Sequence, residues 1–294
     1  MRTNPLVRKG RAALDQVPRA WRRWREGPEA VRRNPPVLCN SVPKSGTHLL
    51  AQILESLPGV RSFGTFLASI PPVRYRERRP RTVHRRISRF VSGELVRGHL
   101  FHRPEYECAL ADRSTVHFLI YRDPRDVVVS EAHYLAEMAW WHRLHRAFRR
   151  LPDMESRFQL AIEGASEQEV GGWFPDLAAR FRPYVDWMGR PGVLAVRYED
   201  LVGGDREGVL GDIVDFWLES RGDAGDPGDG SVAGRADLIR AALEAIDPLR
   251  SHTFRRGGSG GWRSELSRHN VETLRRVAGP LLVELGYEAD MDWG

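Results

Sequence analysis

The chain has 294 residues, of which 41% are hydrophobic and 29% are charged, and its formal net charge is +6. This length suits one large α/β domain, and no apolar run approaches the roughly 20 residues that cross a bilayer, so no transmembrane anchor is expected. The positive charge favours polyanionic partners, and two cysteines are too few for a disulfide framework or a four-cysteine zinc site.

Residues 1–36 are rich in arginine and interrupted by prolines, which predicts a basic amino-terminal segment that is flexible or peripheral. Within it, Leu14, Val17, Trp21 and Trp24 fall at helical spacing among arginines. One interpretation is an amphipathic helix in peripheral contact with an anionic membrane, and the other is a helix packed on the domain or a loose tail. Polar residues interrupt any signal-peptide core, and the few cysteines suit a reducing compartment, so a cytoplasmic location is expected.

The domain is predicted to span residues 37–290 and to alternate strands with helices. Strands are predicted at Val37–Val42, Glu94–Leu100, Val116–Tyr121 and Val193–Tyr198. Helices are predicted at Thr47–Leu57, Asp126–Trp141, Phe174–Met188, Asp205–Glu219, Ala236–Ile246 and Asn270–Leu285. This alternation implies a single α/β domain with a central parallel sheet flanked by helices.

The first candidate site joins the strand that begins at Val37 to the following helix, and its sequence is Pro43-Lys44-Ser45-Gly46-Thr47. Unpaired backbone N–H groups at a helix amino terminus attract anions, and Lys44, one of only two lysines in the chain, adds an ammonium group. The spacing is not that of a Walker A loop, which disfavours ATP or GTP hydrolysis. A helix-capping turn with a chance lysine is the alternative.

The second candidate site follows the strand Val116–Tyr121. Arg122 comes directly after this strand, and Ser130 lies in the next helix. Because ligands of such sheets bind beyond the carboxyl ends of the strands, the Arg122 guanidinium and the Ser130 hydroxyl are suited to a phosphate. A surface ion-pair turn over residues 122–126 is the alternative.

The third candidate site is a loop of arginines and glycines between Phe254 and Trp262. Its residues Arg255, Arg256 and Gly257 could wrap an anion with guanidinium and backbone N–H groups. A glycine-rich linker is the alternative. The two flanking aromatic residues favour an ordered loop over such a linker.

In this order, the three sites resemble the signature of PAPS-dependent sulfotransferases, which have a P-loop NTPase-like fold. The resemblance extends from about Val37 to Gly286 and implies PAPS as the sulfate donor. It places the 5′-phosphosulfate on the loop from Lys44 through Ser45, Gly46 and Thr47, with His48 beside it.

The resemblance further assigns Arg122 and Ser130 to the 3′-phosphate, together with the late loop at residues 255–257. Tyr198, in Tyr198-Glu199-Asp200-Leu201, resembles the family's tyrosine near the adenine. His48 and Leu49 replace a common Thr-Trp pair whose tryptophan stacks on adenine. This departure places the chain outside the vertebrate cytosolic branch.

Catalysis of sulfuryl transfer requires stabilisation of the leaving phosphate and benefits from a general base for the acceptor hydroxyl. Lys44 is the predicted charge stabiliser. The segment Val96–Leu100 resembles the strand that carries the family's catalytic histidine, which makes His99 the predicted base. His102 is the rival, and a purely structural hydrogen-bonding role for His99 is a further alternative. The scheme needs no metal.

The resemblance implies transfer of a sulfuryl group to a hydroxyl, or less readily an amine, of a small-molecule, lipid or carbohydrate acceptor. Segments Arg61–Arg89 and Trp140–Trp173 are expected to shape the acceptor pocket. A nucleotide-dependent kinase and a noncatalytic anion- or nucleic-acid-binding protein are the alternatives, and a nucleic-acid partner is not expected. The oligomeric state stays open. The heavy use of arginine is typical of a bacterial protein from a GC-rich genome.

Overall fold

The computed structural model describes residues 16–73, 75–221, 234–247 and 258–293, which fold around a five-stranded sheet. The strands are β1 (Val37–Ser41), β2 (Arg61–Ala68), β3 (Glu94–His99), β4 (Val116–Tyr121) and β5 (Val193–Arg197). Their order is β2-β3-β1-β4-β5, and every neighbouring pair is parallel. Parallel neighbours require long crossover connections, which the helices supply. The α/β fold predicted from the sequence is therefore confirmed.

Helices cover both faces of the sheet. The α-helices are α1 (Pro28–Arg33), α2 (Thr47–Glu55), α3 (Pro80–Ile87), α4 (Pro104–Asp112), α5 (Pro124–His133), α6 (His145–Arg150), α7 (Met154–Glu163), α8 (Glu167–Val170), α9 (Leu177–Val185), α10 (Tyr198–Val202), α11 (Arg206–Arg221), α12 (Arg235–Glu244), α13 (Trp262–Glu265) and α14 (Arg268–Glu284). A π-helical turn, Tyr134–Met138, follows α5 directly. Among the described residues, no helix is long and apolar enough to cross a membrane.

The central strand β1 is buried along its whole length. Successive side chains of a strand point to opposite faces, and β1 follows this rule. Leu38 packs with Val96 and Leu119 in one apolar cluster, whereas Val37 and Cys39 pack in another cluster beneath α2. A strand covered on both faces is expected to be rich in apolar residues, and the apolar start of β1, Val37 to Cys39, explains why it was predicted from the sequence.

An asparagine joins the ends of β1 and β3. The Asn40 side chain donates to the Leu100 carbonyl oxygen (3.0 Å) and accepts from the Leu100 N–H (2.7 Å). Because Asn40 is fully buried, these two bonds satisfy an amide that would otherwise destabilise the core. They also hold Ser41 and His99 side by side at the carboxyl edge of the sheet.

The edge strand β2 was not predicted from the sequence. Its residues alternate irregularly between exposed and buried, and the register with β3 shifts between Ser62 and Phe66. Gly64 lies within this irregularity and has a φ of 74°, a left-handed conformation that glycine adopts readily. The bulge and the exposed edge remove the alternating pattern by which strands are recognised.

Residues 16–25 are helical and pack beside the β2 edge. Gln16 Nε2 donates to the Phe63 carbonyl oxygen (2.6 Å), and Arg19 Nε donates to the buried Glu94 carboxylate (2.6 Å). This part of the amino-terminal segment therefore contacts the domain. The predicted boundary at residue 36 remains a prediction.

Candidate active site

The phosphate loop lies between β1 and α2. Gly46 precedes the first residue of α2 with a φ of 99°, and Lys44 also has a positive φ of 70°. A Cβ on Gly46 would lie 2.6 Å from Tyr198 Cδ2, so only glycine fits under this ring. The first N–H groups of a helix have no intrahelical acceptor, and here Gly46, Thr47 and His48 at the start of α2 line a large cavity. The loop thus has the geometry of an anion cradle.

The Lys44 side chain lies in the cavity over an aromatic ring. Its Nζ is 3.9 Å from the centre of the Tyr134 ring, in the π-helical turn that follows α5. Burial lowers the pKa of Lys44 to about 8, the Glu131 carboxylate opposes this shift, and Arg122 acts with burial. Lys44 is therefore a partly desolvated ammonium group whose charge depends on pH near neutrality.

A chain of hydroxyl groups connects the phosphate loop to His99. Thr47 Oγ1 and Ser41 Oγ share a hydrogen bond of 2.6 Å, and Ser41 Oγ lies 3.0 Å from His99 Nδ1. His99 Nδ1 also lies 2.9 Å from the Ser41 carbonyl oxygen. A carbonyl oxygen only accepts, so Nδ1 carries the proton and Nε2 carries the lone pair.

His99 lines the cavity, and its ring meets Phe66 edge-on with centres 5.2 Å apart. Burial lowers the pKa of His99 to about 4; the hydrogen bond with the Ser41 carbonyl opposes this shift, and the charge of Lys44 adds to it. The ring is therefore neutral at pH 7. A neutral ring with an available Nε2 lone pair is the form that a general base requires.

The rival histidine, His102, lies elsewhere. Its Nε2 is 3.0 Å from Glu107 Oε2, its ring packs edge-on against Trp187, and it is not part of the cavity wall. The Glu107 carboxylate and the Trp187 indole therefore hold the His102 ring in place, which is a structural role. The geometry favours His99 over His102 as the base, although the role itself remains a prediction.

Arg122 forms the opposite side of the donor cavity. Its guanidinium lies 4.5 Å from the Tyr198 ring centre and donates from Nη2 to the Gly258 carbonyl oxygen (3.0 Å). Ser130, from the following helix, lines the same cavity. Arg122 Nε and Ser45 Oγ are buried without hydrogen-bond partners among the described residues. Buried polar groups are normally paired, and Arg122 also lines the cavity, so its unpaired Nε fits a site that binds an anion.

Tyr198 connects the two parts of this site. The residue begins α10 directly after β5, and one edge of its ring packs on Gly46 while Arg122 stacks on its face. The ring therefore sets the distance between the phosphate loop and the second cationic group. The sequence predicted Tyr198 near the adenine, and its contact with that base remains a prediction.

Asp126 fixes the backbone of residues 260–262, which belong to the carboxyl-terminal part of the chain. Its buried carboxylate accepts from the Gly260 N–H (2.8 Å) and the Trp262 N–H (3.0 Å), and it lies 3.5 Å from Arg122 Nη2. No separate role for Asp126 was predicted from the sequence. Its position in the first turn of α5, one helical turn after Arg122, was the available signal.

The predicted late-loop residues Arg255, Arg256 and Gly257 lie outside the described residues. The turn over residues 122–126, whose alternative reading was a surface ion-pair turn, is largely buried. Arg125 bonds Asp123 (2.8 Å) within the protein, and both side chains are buried. Its ion pair is therefore internal.

The cavity has a volume of about 990 Å³ and continues from the phosphate loop into a region with aromatic walls. Both segments expected to shape the acceptor pocket contribute to it, the first through Phe66 and Tyr75 and the second through Trp141 and Trp173. His48 also lines the cavity. In the part of the chain that the structure describes, no group of three or more His, Cys, Asp or Glu side chains could hold a metal ion.

Fold and site together define a P-loop-like α/β enzyme that transfers a group from a nucleotide. A family model described as the sulfotransferase domain matches residues 34–218. The chain therefore belongs to the sulfotransferase domain family. This confirms the sequence-based prediction of a PAPS-dependent sulfotransferase.

Solved structures agree on the fold. Mouse sulfotransferase SULT7A1 complexed with PAP matches with a TM-score of 0.53 and 17% identity, over 85% of this chain and 83% of that chain. Retinol dehydratase in complex with androsterone and inactive cofactor PAP gives 0.52 and 14%, over 84% and 80%. Its complex with retinol and PAP gives 0.52 and 14%, over 84% and 81%. No curated protein matches the sequence.

Proposed function

We propose that the protein transfers the sulfuryl group of PAPS to a hydroxyl of an apolar small molecule, with His99 as the base. The observation that carries this proposal is the convergence of the phosphate loop, Arg122 and the His99 ring on one cavity. The buried Arg122 Nε, which has no partner among the described residues, supports an anionic donor there.

The donor would lie with its 5′-phosphosulfate on the loop from Lys44 to Thr47 and its 3′-phosphate toward Arg122 and Ser130. The Tyr198 ring separates these two anion-binding groups, which suits a nucleotide that carries phosphate at both ends of its ribose. A guanidinium at the 3′ end would distinguish this arrangement from that of an ATP site.

In the transfer, the bond between sulfur and the bridging phosphate oxygen breaks as the acceptor oxygen bonds to sulfur. The hydroxyl proton moves to His99 Nε2, and the leaving phosphate keeps the electron pair. Lys44 and the N–H groups of the phosphate loop stabilise the charge that develops on this phosphate. The products are the sulfated acceptor, PAP and a proton.

The walls of the acceptor region favour a lipophilic acceptor. Phe101 contacts both Trp173 and Tyr184, with ring centres 5.4 Å and 5.1 Å apart. Retinol dehydratase was crystallised with retinol and with androsterone, and both are apolar alcohols. A small lipophilic alcohol or phenol therefore suits this region better than a glycan, which would require many hydrogen-bonding groups.

The test has two parts. Calorimetry should show tight binding of PAP and no comparable binding of ATP with magnesium, since a kinase would give the reverse. Incubation with radiolabelled PAPS and an extract of the source organism should then label a small lipophilic product. Binding of PAP without transfer to any extract component would overturn the catalytic proposal and favour a noncatalytic anion-binding protein.

We also propose that the helical residues 16–25 contact an anionic membrane surface. Trp21 and Trp24 are 56% and 84% exposed, and the Arg25 guanidinium lies 4.4 Å from the Trp21 ring centre. Tryptophan and arginine side by side suit the interface of an anionic bilayer. The Trp21→Ala, Trp24→Ala variant should lose binding to phosphatidylserine vesicles, and equal binding would refute the contact. A cytoplasmic location and a bacterial source remain predictions.

A further inference from the structure

Two of the histidines that line the cavity, His99 and His142, have opposite ring tautomers. In His99 the proton is on Nδ1, which faces the Ser41 carbonyl oxygen, and the lone pair is on Nε2. In His142, Nδ1 accepts from the Leu144 N–H at 3.1 Å. A backbone N–H only donates, so Nδ1 of His142 carries the lone pair and Nε2 carries the proton. One ring is thus a proton acceptor and the other a hydrogen-bond donor.

The His142 ring is neutral at pH 7. Burial lowers its pKa to about 4, and the neighbouring His145 acts in the same direction. Within the part of the chain that the structure describes, no protein group accepts a hydrogen bond from His142 Nε2, this atom is not among the buried unpaired ones, and His142 lines the cavity. The N–H group therefore gains a partner when a molecule in the cavity offers an oxygen.

Aromatic rings hold His142 in place. Tyr75 meets it edge-on with ring centres 5.1 Å apart, and Trp141 lies 5.9 Å away. Both rings also line the cavity, so the donor lies in largely apolar surroundings. An N–H group in such surroundings discriminates strongly, because a ligand that cannot accept leaves a desolvated donor unpaired.

The two histidines lie on different walls. His99 ends β3 beside the phosphate loop, whereas His142 follows the π-helical turn Tyr134–Met138. We propose that His142 is a specificity-determining residue that donates from Nε2 to an acceptor oxygen other than the hydroxyl that is sulfated. The acceptor class is an apolar hydroxy compound with a second, hydrogen-bond-accepting oxygen, such as a ketone or an ether. This inference rests on the proposed sulfuryl transfer to apolar alcohols.

The experiment compares acceptors that differ only in the second oxygen. One pair is 4-hydroxyacetophenone and 4-isopropylphenol, and the other is androsterone and its analogue without the ketone. The wild-type protein should prefer the ketone in each pair by about tenfold in kcat/KM, mainly through KM, because a hydrogen-bonding site rejects an analogue that lacks the group. His142→Phe should reduce the preference to less than about twofold.

Matched variants exclude a merely structural effect. His145→Phe should keep the wild-type preference, because His145 donates to the Leu135 carbonyl oxygen (2.7 Å) and is not part of the cavity wall. His142→Gln should restore part of the preference, since an amide can both accept from Leu144 and donate to the ligand. Thermal unfolding of each variant verifies that it is folded.

The outcomes separate this inference from the proposed function. Transfer without preference in the wild-type protein, or a preference that survives His142→Phe, overturns the role of His142 alone. If PAP binds but none of the four acceptors is sulfated, the apolar-alcohol proposal and this inference both fail. If PAP does not bind, the proposed function fails at its donor.

Discussion

The two ends of the cavity recognise their ligands in different ways. At the donor end, a helix amino terminus, Lys44 and Arg122 present positive charge, and the Tyr198 ring separates the phosphate loop from Arg122. At the acceptor end, aromatic rings form much of the wall, and His142 Nε2 is a directional donor among them. The backbone dipoles and cationic groups of the donor end suit a single anionic nucleotide. The aromatic wall of the acceptor end selects its ligand by shape and by contacts with individual polar groups.

His99 lies where the two ends meet, so its replacement should have the largest effect. His99→Ala should lower kcat by about 10²- to 10⁴-fold, because the acceptor hydroxyl loses its general base. Steady-state rates with saturating PAPS measure this loss, and His102→Ala is the matched control with less than about a threefold change. Equal losses in the two variants would show that neither ring acts as the base.

Charge stabilisation at the donor end should follow in size. Lys44→Ala should lower kcat by about 10²- to 10³-fold, since it removes a group aimed at charge that develops during transfer. PAP binding, measured by calorimetry, should weaken by less than about tenfold because the backbone amides and Arg122 remain. A loss confined to PAP affinity with kcat unchanged would mean that Lys44 only binds the donor.

The anchoring role of Asp126 predicts a smaller and more selective effect. Asp126→Asn replaces one of two accepting oxygens by an NH₂ group that faces a backbone N–H, either that of Gly260 or that of Trp262. A buried unpaired donor costs about 1–3 kcal/mol, so PAP should bind about tenfold more weakly while the KM for the acceptor changes little. Equal changes in both constants would indicate a general loss of folding instead.

The pH profile should show the smallest effect. Lys44 is protonated below its pKa of about 8, so kcat/KM should fall as the pH rises through that value. Glu131 raises this pKa, and Glu131→Gln should therefore move the alkaline fall to lower pH. On the acid side, His99 stays neutral down to a pH of about 4, so activity should persist well below pH 6.5. If Glu131→Gln leaves the alkaline fall in kcat/KM at the same pH, Glu131 does not raise the pKa of Lys44.

The donor end of the cavity could also be predicted from the sequence better than the acceptor end. The loop at Lys44 and the turn at Arg122 are local motifs at strand ends, and the mainly apolar strands β1 and β4 mark their positions. The fold was predictable for that reason. No local sequence pattern identifies His142, because its Nε2 becomes a donor through one hydrogen bond between Nδ1 and the Leu144 N–H, which forms only in the folded turn.

Two further features could not be predicted from the sequence, for physical reasons. The predicted helix Asp126–Trp141 changes into a π-helical turn at Tyr134, and this change brings the ring over Lys44. Wider turns have no clear sequence pattern. The pairing of Asp126 with Gly260 and Trp262 joins residues far apart in the chain, and no spacing rule predicts such a bond.

The contact between Tyr198 and Gly46 bears on how the protein folds. The phosphate loop forms near the start of the chain, yet its packing partner arrives only with β5, after three intervening strands. Contacts of such long range form slowly, and a chain emerging at about 5–20 residues per second exposes the loop long before Tyr198 is synthesised. Donor binding is therefore acquired late, and a nascent chain that ends before Tyr198 would lack it.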